Sequence, residues 1–151
     1  MSFLGNFSEI ENPAKRAARI GQSFSASWTY DGSKIKTKEE PDIMSENNFN
    51  FTDGIGKISR DLVESISLKL GLTELSVIQI RYLGAKGILV LDETLPKNTV
   101  VLRPSMIKYR CKSDEAQKYL DILDYNKYKA GFLNRQVIIL LKTLGIRETV
   151  F

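Results

Sequence analysis

A chain of 151 residues, 42% hydrophobic and 26% charged, has the size and composition of one ordinary globular domain, able to bury about 68–70% of its unfolded surface. It has no histidine and a lone cysteine, Cys111, which excludes Ser–His and Cys–His catalysis, histidine metal sites and an internal disulfide, and points to a reducing compartment. Its 22 Lys and Arg against 18 Asp and Glu leave a net charge of +4, compatible with a nucleic-acid partner.

The positive excess follows residue 50: basic and acidic side chains number 6 and 7 over residues 1–50, 9 and 6 over 51–110, and 7 and 5 over 111–151. The longest apolar run, Val137–Leu141, is far short of the roughly 20 residues of a membrane-spanning helix, and no secretory signal opens the chain. The expectation is a soluble protein of the cytoplasm or nucleus, without a membrane partner.

In chain order, Asn12 and Pro13 suit an N-cap and first helical position, and Ala14–Arg19 are good helix formers before a stop at Gly21. Residues 31–48 are polar, without an apolar period, and read as a flexible linker. Phe49–Thr52 alternates like a short strand and runs into a tight connection, Asp53-Gly54-Ile55-Gly56. A helix is expected from the N-cap Ser59 to Gly71, with Leu62, Ile66 and Leu70 on one face. Strands are expected at 77–82, 88–91, 99–103 and 106–110, with Gly84-Ala85-Lys86-Gly87 as a glycine-bracketed turn. Residues 114–129 fit helix or strand, and the alternation at 118–124 favours a strand. From Asn134 to Gly145 the pattern is that of a helix apolar nearly all round, therefore buried. The last residue, Phe151, is apolar, as expected of a segment of a longer polypeptide.

Few of these features carry chemistry alone. A lysine between glycines presents a point charge close to the backbone, as phosphate recognition requires; a surface hairpin with a solvated lysine is the simpler reading of Gly84–Gly87. Asp53 has no second carboxylate within three positions, and the neighbours in Asp92-Glu93 and Asp114-Glu115 point apart, so no metal site is expected in this chain. Arg81, Arg103, Lys108 and Arg110 lie on expected strands, where charges mark a solvent face or, gathered on one face, a phosphate-binding strip. Lys112, Lys118, Lys127 and Lys129 read as solvated surface, and Cys111 as a small half-buried hydrophobe.

Five blocks together resemble the eukaryotic cellular RNA-directed RNA polymerases of RNA silencing: Asn12–Phe24, Phe51-Thr52-Asp53-Gly54-Ile55-Gly56-Lys57-Ile58-Ser59, Gln79-Ile80-Arg81-Tyr82-Leu83-Gly84-Ala85-Lys86-Gly87, Leu102-Arg103-Pro104-Ser105-Met106-Ile107-Lys108-Tyr109, and Leu133–Leu141. They stand in the family's order over most of the chain, and depart from it at Leu83, where the family commonly has glycine. The resemblance implies a mainly β fold with inserted helices (α+β): residues 1–48, a helix and polar linker, lead into the first of two double-psi β-barrels, residues 49–151, which carries inserted and C-terminal helices.

It also implies an RNA-directed RNA polymerase parent that copies single-stranded RNA into double-stranded RNA for small-interfering-RNA gene silencing. Its partners would be the template, nascent RNA, nucleoside triphosphates and the second barrel. The parent's Mg2+ would bind an Asp-x-Asp-Gly-Asp signature absent from this chain, which alone is expected to be inactive. Lys86, with Lys108 and Lys57 as further candidates, would face phosphate and transition-state charge, and Arg81, Arg103 and Lys108 would contact RNA. The alternative is a non-catalytic RNA-binding or scaffold barrel.

Overall fold

The computed structural model describes residues 7–21, 24, 26–109, 119–128, 131, 134–147 and 149. Among these residues three helices, α1 (Pro13–Gly21), α2 (Arg60–Leu70) and α3 (Arg135–Thr143), accompany seven strands: β1 (Trp28–Asp31), β2 (Lys36–Glu39), β3 (Ile55–Ile58), β4 (Val77–Tyr82), β5 (Ala85–Leu91), β6 (Thr99–Leu102) and β7 (Tyr119–Tyr125). The strands form one mixed sheet in the order β1-β7-β4-β5-β3-β6-β2. β4 pairs antiparallel with β5 and β7, while β3 runs parallel to β5 and antiparallel to β6.

Alternation along β4 buries Ile78, Ile80 and Tyr82, and the same pattern in β7 buries Leu120 and Ile122. Against this layer α2 places Leu62, Val63 and Ile66, each fully buried aliphatic side chain contributing about 1.5–3 kcal/mol. Gly71, at φ 67°, ends α2 by donating to the Leu68 carbonyl, and Leu72 N donates to Ser67 O at 2.9 Å. Ser59 occupies the N-cap, but its buried hydroxyl accepts from Thr99 N at 3.1 Å instead of capping the helix. β6 is buried at every position, Thr99 to Leu102.

Several sequence expectations are revised. The stretch expected as a flexible linker contains β2, which pairs parallel with β6 from Lys36↔Thr99 to Glu39↔Leu102; its side chains are all exposed, so it is held through its backbone and shows no apolar period. The sheet therefore already includes residues on the N-terminal side of position 48. Phe49–Thr52 is not a strand: Asn50 makes an isolated bridge to Met44 and residues 51–54 turn, so that β3 begins inside the motif expected as a connection. Past β6, residues 104–106 form a 3-10 turn and Ile107 a single bridge to Ala85, so the described part, 106–109, of the strand expected over 106–110 is not a strand. Arg110 and Cys111 lie outside the described residues.

The hairpin turn is Leu83-Gly84, with φ of 52° and 80°, and Tyr82 pairs directly with Ala85. Lys86 therefore stands on β5, not at a turn tip. A two-residue turn with positive φ at both positions suits the twist of a hairpin. Leucine takes this conformation at a cost, offset by packing of the Leu83 side chain against the core.

α3 is capped as expected, Asn134 accepting from Gln136 N and Val137 N, but it is not buried: Val137, Ile139 and Leu140 are 50–57% exposed. α2, not α3, contributes side chains to the buried core cluster. The strand expected at 118–124 is present as β7.

Strand crossings demand glycine. A Cβ on Gly56 would stand 2.2 Å from the Val101 carbonyl and 2.9 Å from Leu89 and Met106 side-chain atoms. Gly56→Ala should lower stability by roughly 1–3 kcal/mol or more, the usual cost of overpacking, whereas Gly131→Ala, with nothing within 4 Å, should be near neutral; urea unfolding compares the two.

Turn carboxylates set an acid limit. The Ser33 backbone N–H, followed by its hydroxyl, holds Asp31 below the ordinary carboxylate value of 3.8, and the Thr94 hydroxyl and N–H, followed by Lys57, do the same for Asp92. Because the folded value lies below the unfolded one, this stability is present above 3.8 and is lost as pH falls through the depressed values. The urea midpoint should drop as pH falls from about 5 to about 2, and Asp92→Asn should flatten that dependence.

Candidate functional site

Three segments separated in sequence meet at one place: the turn at 52–54, the β4–β5 hairpin and residues 103–109. Gly87 lies against the turn so closely that a Cβ on it would stand 2.2 Å from the Gly54 carbonyl oxygen. That carbonyl accepts from Ile88 N at 2.8 Å. On the hairpin's other side Lys108 N donates to Gly84 O at 3.0 Å, and a Cβ on Gly84 would stand 2.0 Å from Tyr109 O. The Asp-Gly-Ile-Gly and glycine-lysine-glycine motifs are thus in backbone contact.

Lys86 occupies the middle of this arrangement. It pairs with Arg81 across β4 and β5, and Arg81 pairs with Asp121 of β7, whose carboxylate accepts from the Thr29 hydroxyl of β1 at 3.0 Å. A polar row therefore crosses the sheet, with two cations as direct neighbours, a pairing unfavourable unless another charge offsets it. Asp121 supplies that charge on the Arg81 side. Burial pushes the Arg81 guanidinium below its ordinary value, and Tyr109 and Asp121 push it back up. Lys86 is half-buried and its ammonium makes no ion pair or hydrogen bond among the described residues.

The other candidates are engaged within the chain. Lys57 faces Glu40 at 3.4 Å and Asp92 at 3.3 Å, so two carboxylates balance its charge. Arg103 is only 6% exposed, donating to the Pro41 carbonyl and meeting Glu40 at 3.4 Å. Its guanidinium closes the segment at 40–41 onto the end of β6 rather than facing solvent. Lys108 donates through Nζ to the Ser105 carbonyl. The structure brings Lys86, Arg81 and Lys108 to the hairpin and leaves Lys57 and Arg103 in a separate ion-pair cluster with Glu40 and Asp92.

A polar cluster that the sequence reading passed over lies beneath the turn. Asp42 accepts from Ser105 Oγ at 2.6 Å, from Ser105 N at 2.9 Å and from Thr52 Oγ1 at 3.1 Å, and Ser105 Oγ accepts from Gly54 N at 3.0 Å. The Ser105 hydroxyl is the main cause holding the Asp42 carboxyl below its ordinary value. Asp42 and Ser105 are 63 positions apart, and no short motif links them.

Asp42 is committed to hydroxyl and amide donors, Asp53 is exposed, and no group of three Asp, Glu, Cys or His side chains suited to a metal gathers among the described residues.

The chain is similar to known proteins over nearly its full length. The family model described as RNA dependent RNA polymerase matches residues 1–151. A probable RNA-dependent RNA polymerase 1 of rice is 44% identical over 99% of this chain and 20% of its own length. RNA-dependent RNA polymerase 1 of Arabidopsis thaliana is 40% identical over 99% of this chain and 14% of its own. Among solved structures, the RNA dependent RNA polymerase QDE-1 from Thielavia terrestris matches 85% of this chain and 15% of its own, with a TM-score of 0.70 and 28% identity. The chain thus spans a fifth or less of the length of these relatives. With its residues matched from end to end, the chain belongs to the RNA dependent RNA polymerase family.

Proposed function

We propose that this chain is the part of an RNA-dependent RNA polymerase that supplies fixed positive charge to the reacting phosphates, within an enzyme that copies single-stranded RNA into double-stranded RNA for gene silencing. In this reading the seven-stranded sheet is the first double-psi β-barrel of the catalytic core, and the second barrel and the magnesium ligands belong to the rest of the polypeptide. Template, nascent RNA and nucleoside triphosphates are the substrates and partners, in the cytoplasm or nucleus. No helix among the described residues is long and apolar enough to cross a membrane.

One observation supports this most: Lys86 is the lysine at the meeting of the two glycine motifs, and its ammonium has no ion pair or hydrogen bond among the described residues. An ammonium without a counter-ion among the described residues attracts an anion, and the strand fixes the backbone from which its flexible side chain reaches. Nucleotidyl transfer builds negative charge on phosphate oxygens and on the leaving pyrophosphate. A cation already in place stabilises that charge without reorganisation, and a compact ammonium does so from any approach. Arg81 and Lys108 flank it as RNA-backbone contacts. Lys57 and Arg103 serve the domain itself, their charges being matched by Glu40 and Asp92.

In the full-length protein, Lys86→Ala should lower the turnover number of RNA synthesis by on the order of 10²–10³, the usual cost of one preorganised electrostatic contact, while template affinity changes little. Lys86→Arg should recover only part of the loss. Lys127, exposed and paired with Asp124 at 2.6 Å, is the control: Lys127→Ala should leave synthesis unchanged. Equal behaviour of Lys86→Ala and Lys127→Ala in synthesis and binding assays would remove Lys86 from the mechanism.

A further inference from the structure

We propose that Ser105, oriented by Asp42, is a positioning residue for Lys86; this rests on the polymerase reading above and names residues that act through Lys86 rather than on substrate. The argument follows the hydrogen bonds. Lys86 is the central residue of the span Gly84–Ile88. One end is fixed by Lys108 N donating to Gly84 O at 3.0 Å, and the other by Ile88 N donating to Gly54 O at 2.8 Å. Both partners lead to Ser105. Gly54 donates its N–H to Ser105 Oγ at 3.0 Å, and Lys108 donates its Nζ to the Ser105 carbonyl. Ser105 therefore touches the anchors on both sides of the lysine.

A serine hydroxyl rotates unless its proton is claimed. Here Asp42 claims it at 2.6 Å and also accepts the Ser105 N–H at 2.9 Å. With the proton directed to the carboxylate, the oxygen lone pairs face Gly54 N. Thr52, whose hydroxyl donates to the same carboxylate at 3.1 Å, fixes the start of the turn. A charge-assisted hydroxyl–carboxylate bond is among the stronger hydrogen bonds available to a protein. Close packing passes its effect on. Because Gly87 leaves no room for even a methyl group against Gly54 O, displacement of the turn displaces the backbone next to Lys86. Small misplacements at a reacting centre cost up to about 10²-fold in rate.

The test uses the full-length protein and two readouts. Hydrogen exchange of peptides covering residues 50–58 and 83–91 reports the anchors independently of activity: Ser105→Ala should speed exchange in both, and Ser105→Thr, which keeps the hydroxyl, should restore protection. RNA synthesis reports the consequence. Ser105→Ala should lower turnover by up to about 10²-fold with template affinity little changed, and should add little in a Lys86→Ala background, since a residue acting through Lys86 has nothing left to position. Asp42→Asn should share both effects. Unchanged exchange, or a Ser105→Ala loss that multiplies in full with that of Lys86→Ala, overturns the proposal. If Lys86→Ala alone has no effect on synthesis, the functional reading of Lys86 fails, and the exchange data alone decide whether Ser105 holds the span.

Discussion

Gly87 has no side chain because the Gly54 carbonyl occupies the place of one, 2.2 Å from where its Cβ would be. This contact joins the turn before β3 to the strand that carries Lys86, and the surrounding arrangement depends on it. The parallel pairing of β3 with β5 begins one residue away, at Ile55↔Ile88. Gly56 and Gly84 make equivalent close approaches to Val101 and Tyr109. Three backbone crossings without side chains between them let segments distant in sequence converge on one lysine. Their glycines are needed for space, and at Gly84, with φ of 80°, for conformation as well.

The electrostatics divide in two. The excess of basic residues over 51–110 looks, as a count, like one surface for nucleic acid. In the fold, Lys57 and Arg103 converge on Glu40, with Asp92 on the far side of Lys57, and Arg60 pairs with Glu64 and Glu93. The Glu40 pairs tie the segment after β2 to β3 and to the end of β6, while Arg60 ties α2 to the segment after β5. At the β4–β5 hairpin, by contrast, Lys86 has no ion pair among the described residues. Exposed pairs of this kind contribute little stability each, so the cluster serves geometry more than free energy, apart from Arg103, whose burial makes its partners necessary.

Much of the architecture was legible from side-chain periodicity. Helix α2 announced itself through Leu62 and Ile66, β4 through Ile78, Ile80 and Tyr82, and α3 through Asn134, because in each the pattern follows from one face meeting the core or from a local cap. β2 was illegible for the opposite reason: Lys36 to Glu39 are all exposed, and only backbone hydrogen bonds to β6 make them a strand. The 84–87 segment misled because glycine has two uses. Gly84 makes the turn, while Gly87 gives room to Gly54, and only the first use is a local signal. Position 83, where the family commonly has glycine, matters because Leu83 itself takes positive φ. Lys86 was legible through its glycines, whereas Asp42 and Ser105 were not, because their bond spans 63 residues. The burial foreseen for α3 followed from composition, but apolar residues record that a helix meets something apolar, not which surface it meets.

In the proposed function, Lys86 is an ammonium without a counter-ion among the described residues, held for phosphate. Lysine acetylation of the full-length protein, read by mass spectrometry with and without RNA template and nucleoside triphosphates, tests it most directly. Lys86 should react in the free protein and be protected when template and nucleotide are both present, while Lys127 reacts equally in both states. Equal labelling of Lys86 in the two states, under conditions where template and nucleotide are shown to be bound, would contradict the account.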